Sequence, residues 1–170
     1  VIYILPVEAG AGTRWGDGLA EAKKAKIHDR HGVICVAPTF SHLPWFADHP
    51  SKKKIRQESY LLKVVLPFVE KTYAARKSAD GRLLLGFSKS GWGAFTLLLR
   101  NPRTFGRAVA WDAPLTMTAP GKYGSGPIFG TKESFAKYEV LGLLAKQVKK
   151  LRGSRRLVLI GFGGFRKHHQ

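Results

Sequence analysis

The chain has 170 residues, enough for one domain with a real core, and its 44% hydrophobic content excludes a disordered segment. Lys and Arg number 29 against 11 Asp and Glu, a formal charge of +18. No apolar run approaches the roughly 18 residues of a membrane span, and the single cysteine, Cys35, rules out an intrachain disulfide. No charged-then-apolar leader opens the chain, so a soluble protein, cytoplasmic in preference to secreted, is expected.

Short aliphatic runs alternate with longer helical stretches, the pattern of a parallel sheet covered by helices. Residues 1–5 (VIYIL) read as a strand and run into a glycine-rich loop, PVEAGAGTRWGDG. A helix over 19–30 and a strand over 32–37 follow. The stretch PTFSHLPWFADHPS carries too many breakers for a regular element. Across 51–75, Ile55, Tyr60, Leu61, Val64, Val65, Phe68 and Val69 recur mostly three or four apart, which predicts one long helix with Pro67 as a kink. A strand over 82–87 leads into a helix over 90–100 that ends at Asn101–Pro102. A fourth strand spans 107–111, a helix N-capped by Thr131 spans 131–151, and a last strand spans 157–160. Nothing divides residues 1–170 into two domains. The expected fold is an open, mostly parallel α/β sheet with helices on both faces.

Ligands bind such sheets at the carboxyl ends of the strands. Ser88, Asp112, His42 and Trp45 all fall on that rim. In LLLGFSKSGWGAF, residues 83–95, a strand stops at a serine and restarts as a helix rich in small residues. A serine hydroxyl needs a base and a stabilised oxyanion before it acts as a nucleophile. A sharp strand-to-helix turn presents it at the rim, with small residues at 86 and 90 to avoid clashes. Gly91 and Gly93 let the helix approach the sheet. The Lys89 N–H opens that helix, where an anion is welcome. A plain tight turn or a phosphate-binding turn would use similar residues.

The stretch LLLGFSKSGWGAFTLLLRNPRTFGRAVAWDAP resembles the α/β-hydrolase superfamily, and within it the esterases of the esterase D and feruloyl-esterase type. VIYILPVEAG looks like that family's early strand and oxyanion loop. The family pattern places glycine where this chain has Ser90. The resemblance implies that Ser88 is the nucleophile and that the N–H groups of Lys89 and of the loop at Glu8 form the oxyanion hole. It also implies that the acid and the histidine come later in the chain. GFGGFRKHHQ, after the last strand, holds no carboxylate, and the region of the family's histidine falls beyond Gln170, so the chain resembles the family with its C-terminal part missing. Asp112 is then the candidate acid, with a capping role as the alternative. His168 and His169 are the candidate bases, with His42 and His49 in the rim loop behind them. The remaining alternative is that no base is present.

These readings imply a carboxylic ester hydrolase for small acyl or aryl esters, with Trp45, Trp92 and His42 as candidate pocket residues. Trp15 and Trp111 are further aromatics for that pocket. The competing reading is an inactive module of the same fold whose basic surface meets anionic partners. No cofactor or metal is implied, since His168 and His169 lack helical ligand spacing. The lysine clusters lie on helices without a nucleic-acid-binding motif, so no dedicated nucleic-acid function is expected. A shortened sheet would leave an apolar edge open, which predicts a homo-oligomer.

Overall fold

Parallel strands cannot be joined by tight hairpins, so each strand of this chain is followed by a crossover. The computed structural model describes residues 1–161. Among them β1 (Ile2–Leu5), β2 (Cys35–Val36), β3 (Leu83–Phe87), β4 (Arg107–Trp111) and β5 (Leu157–Ile160) form one parallel sheet in the order β2-β1-β3-β4-β5. The chain goes outward from β1 to β2, then returns past β1 and builds the other side. The switch point therefore lies between β1 and β3, where open sheets of this kind bind ligands. Leu5 pairs with Gly86, and Phe87 with Trp111, so the strand ends line up beside residue 88.

The helices are α1 (Gly18–Lys24), α2 (Ile27–His31), α3 (Gln57–Tyr60), α4 (Leu66–Thr72), α5 (Lys89–Arg100), α6 (Gly126–Phe129), α7 (Lys132–Ala136) and α8 (Val140–Leu151). None of the described helices is long and apolar enough to cross a membrane. Helix α5 is the spine of the core. Ser90 through Leu99 are all buried, and the helix packs on β1, β3 and β4 and against α8. A helix apolar on every side can only be stable when surrounded. An aromatic cluster supplies part of that cover: Trp45, Trp92, Phe129 and Phe135 contact one another at 5.0–6.1 Å between ring centres.

Three expected helices are shorter or broken, each for an identifiable reason. The 19–30 segment splits at Lys26, which adopts φ 53°; α1 buries no residue, so no packing enforces a longer helix. The 51–75 segment becomes helical only at Gln57. A π-helical turn, Leu61–Val65, then joins α3 to α4 just ahead of Pro67. Proline lacks the amide that would bond to Lys63 and crowds that carbonyl, and widening the turn relieves both problems. The 131–151 segment breaks at Tyr138, whose carbonyl accepts a buried bond from Thr96 Oγ1 (2.8 Å). Thr131 does cap α7, accepting from the Ser134 amide at 3.1 Å. Strand β2 is only two residues long.

The loop over β2 is held by one buried side chain. Gln57 Oε1 accepts from the Trp45 and Phe46 amides (2.9 and 2.8 Å), and its Nε2 donates to the His42 and Leu43 carbonyls (3.3 and 3.0 Å). Its amide thus replaces a missing strand partner for four backbone groups. Gln57→Leu keeps the size but leaves those groups without partners, and should destabilise folding by about 2–4 kcal/mol in urea unfolding. A loss under about 0.5 kcal/mol would show that the loop does not depend on this clamp.

Candidate active site

Ser88 follows β3 directly and caps α5 with φ 53° and ψ −126°, a backbone conformation L residues rarely adopt. Neighbouring contacts enforce it. The Ser88 amide donates to the Trp111 carbonyl (2.8 Å), while its own carbonyl accepts from the Gly91 and Trp92 amides (3.0 and 3.2 Å). A Cβ on Gly86 would lie 2.1 Å from the Ser90 carbonyl oxygen, and one on Gly91 would lie 2.8 Å from the Ala113 Cβ. Strand and helix touch backbone to backbone there, so only glycine fits. Gly91 and Trp92 take the first bonds of the helix, which leaves the Lys89 N–H outside its ladder at the positive end of α5.

Ser90, at the position where the family pattern has glycine, is fully buried. Its Oγ accepts from the Phe87 amide (2.9 Å) and donates to the Phe87 carbonyl (2.8 Å). The extra hydroxyl therefore closes a ring across the turn, stapling the residue before Ser88 to the first turn of α5.

The loop after β1 meets this turn. Its Gly10 amide donates to the Phe40 carbonyl (2.7 Å), which ties it to the loop after β2. Glu8 has a buried Oε2 with no hydrogen-bond partner. Burial pushes the Lys89 ammonium below the usual lysine range, and the nearby Glu8 carboxylate opposes that shift. Glu8, in the loop after β1, and Lys89, at the start of α5, thus come together.

Asp112 directly follows β4, as Ser88 follows the paired strand β3. It is buried, has φ 45°, and its amide donates to the Ile160 carbonyl (3.0 Å). His168 and His169 lie outside the described residues. His42 Nδ1 is bonded to Ser41 Oγ (3.0 Å), and the residue lines a rim pocket. His49 is a structural residue: its Nδ1 accepts from the Ser51 and Lys52 amides (3.1 and 2.9 Å), and Nε2 abuts Gly130. Burial, then Lys52 and Arg56, push its pKa down.

Two pocket residues expected from the sequence are corrected. Trp45 and Trp92 are fully buried, with ring centres 5.4 Å apart, and belong to the core around α5. Aromatics at a rim position and in the core carry the same residue code, and only packing separates them. The exposed tryptophans are Trp15 and Trp111. Trp111 stands against Phe87 at 5.4 Å, next to the turn at Ser88. Gln57 was not anticipated; a lone glutamine in a polar segment gives no sequence signal.

The Esterase family, described as "Putative esterase", matches residues 43–162. The chain belongs to that family. This esterase has the α/β-hydrolase fold of its structural neighbours. An S-formylglutathione hydrolase from Agrobacterium tumefaciens aligns with a TM-score of 0.69 and 13% identity, over 95% of this chain and 74% of its own. FphF, a fluorophosphonate-binding serine hydrolase from Staphylococcus aureus, gives 0.63 and 15%, over 94% and 63%. A ferulic acid esterase gives 0.63 and 16%, over 96% and 76%. The esterase chain thus spans less than two thirds of FphF and about three quarters of the other two. No curated protein matches its sequence.

Two outcomes follow from this geometry. Ser90→Ala removes both bonds of the staple and should lower kcat for an ester about tenfold, with KM within about twofold; unchanged kcat would show the staple to be idle. Free His takes its proton near 6.5, above the depressed native value of His49, so the His49 contribution is intact above that pH and is lost as pH falls below it. Folding stability measured from about pH 7 to about pH 5 should fall more steeply in the parent than in His49→Asn. Equal slopes would contradict the assignment.

Proposed function

We propose that this esterase hydrolyses small acyl or aryl carboxylic esters through an acyl-Ser88 intermediate. The observation that carries the reading is the backbone at Ser88, held at φ 53° and ψ −126° between β3 and α5 by contacts that exclude any Cβ at Gly86 and Gly91. Such a turn keeps the hydroxyl at the rim and costs nothing at the moment of reaction, because folding has already set it.

In this reading Ser88 Oγ attacks the ester carbonyl carbon and its proton passes to a histidine, with His168 and His169 as the candidates. The tetrahedral oxyanion is met by the N–H of Lys89 and an N–H of the loop at Glu8, reinforced by the positive end of α5. Collapse expels the alcohol, which takes the proton from the histidine. Water then attacks the acyl-enzyme by the same route and returns free Ser88 and the carboxylic acid. Asp112, the candidate acid, steadies the imidazolium. Trp111 and Phe87 offer an aromatic wall beside the reacting carbonyl.

Turnover of a p-nitrophenyl short-chain ester should drop about 10³-fold or more in Ser88→Ala. A fluorophosphonate should label the parent at Ser88 and leave the variant unlabelled. Undiminished hydrolysis in the variant would sink the reading.

The sheet also supports self-association. Val158, Leu159 and Ile160 on β5 are all exposed, at the edge of the sheet among the described residues. Light scattering at micromolar concentration should report a species larger than one chain; a clean monomer would refute this.

A further inference from the structure

The loop after β2 carries a rim feature that the chemistry at Ser88 does not use. Ser41, His42, Lys54, Arg56, Gln57 and Tyr60 are among the residues lining a pocket of about 290 Å³. Its frame is stiff. The Gln57 amide is committed to the backbone of 42–46, and Tyr60 packs edge-to-face on Phe40 at 5.6 Å. The bond between His42 Nδ1 and Ser41 Oγ orients the imidazole.

The pocket is electrostatically one-sided. Among the described residues no carboxylate lines it. The acids nearest in the chain are turned to other work: Asp48 accepts from the Ser59 amide and hydroxyl, and Glu58 is held by Arg100 and Asn101. Among the described residues neither Lys54 nor Arg56 has an ion-pair partner. The field of Arg56 reaches His49, whose pKa is lowered by burial first, then by Lys52 and Arg56. Cations at a concave surface without local acids raise the concentration of anions there.

We propose that this pocket is an anion subsite that receives a carboxylate or phosphate carried on the ester whose carbonyl is presented to Ser88. The proposal rests on the Ser88 reading and adds the substrate class to it. Only β1 separates β2 from β3, so two strand spacings, about 10 Å, lie between the loop bearing the pocket and the turn bearing Ser88. The bond from the Gly10 amide to the Phe40 carbonyl joins the loop at Glu8 to the pocket wall. An ester with its anion at the far end of a short chain spans the two. Both cationic side chains are exposed at the mouth, where they draw in an anion without the cost of burying a charge.

Phenyl hemiadipate and phenyl hexanoate match in chain length and differ by one carboxylate. At low salt the parent should show the lower KM for the hemiadipate. The double variant Lys54→Gln/Arg56→Gln should raise that KM about tenfold and leave kcat/KM for the hexanoate within about twofold. Added salt should close the gap between parent and variant. An equal change in both esters, or none, overturns the subsite. Calorimetric titration of Ser88→Ala with adipate and with inorganic phosphate distinguishes the two anions and needs no turnover. Binding that the double substitution abolishes, in a protein whose parent hydrolyses neither ester, supports the subsite and places the failure in the Ser88 reading. Intact hydrolysis with no binding of either anion overturns the subsite alone.

Discussion

Everything at the rim depends on how closely β3 and α5 approach each other around Ser88. The Ser90 carbonyl lies where a Gly86 Cβ would be, and the Gly86 carbonyl lies 2.9 Å from where a Gly91 Cβ would be. Two backbones in direct contact leave the connecting residue no ordinary conformation, so Ser88 takes the left-handed one. Strain of this kind persists only when the surroundings over-determine it. Here they do so through α5, buried from Ser90 to Leu99, and through the staple that Ser90 makes to Phe87. The core is thus the instrument that holds the hydroxyl outward, and stability and geometry at this point are one property.

The same logic divides the rim into a stiff part and a loosely held part. The loop over β2 is fixed by the four hydrogen bonds of Gln57 and by burial of Trp45, Phe46 and Ala47. Residues 10–21, in contrast, are all exposed, and α1 contributes no residue to the core. Segments with few buried contacts open most readily. The switch point between β1 and β3 therefore has one wall set by packing, while the chain beyond the loop at Glu8 is free to adjust to what binds.

Strands β3, β4 and β5 were legible because their apolar runs are bounded by turn residues, and their observed limits differ from the expected ones by at most one residue. The turn at Ser88 was legible because its steric demand selects glycine at 86 and 91, and glycine is visible in a sequence. What stayed hidden depends on partners far away in the chain. The break at Tyr138 is made by Thr96, the loop over β2 is shaped by Gln57, and Trp45 and Trp92 are core because Phe129 and Phe135 close over them. Periodicity reports that a residue prefers burial, but not which neighbour buries it. The departure at Ser90 was visible as a letter and mild as a steric change. Its consequence, a hydrogen-bonded ring, exists only in the fold.

Charge shows the same division between what composition states and what folding does with it. The excess of 18 positive charges says nothing by itself about a site. In the folded chain, however, many of the few acids are spent inward or on local structure. Glu58 pairs with Arg100, Glu70 with Arg82, Asp48 binds Ser59, Asp17 caps α1, and Asp112 is buried. Each ion pair cancels one cation against one acid, so the excess of positive charge rests on the cations outside these pairs. A rim with that field favours the developing negative charge of an ester oxyanion and concentrates anionic molecules around it. Screening shortens the reach of such a field to about 8 Å at physiological salt. At the turn itself the cation within that reach is Lys89; Lys54 and Arg56, two strand spacings away, act only on a substrate that extends toward them into the proposed subsite.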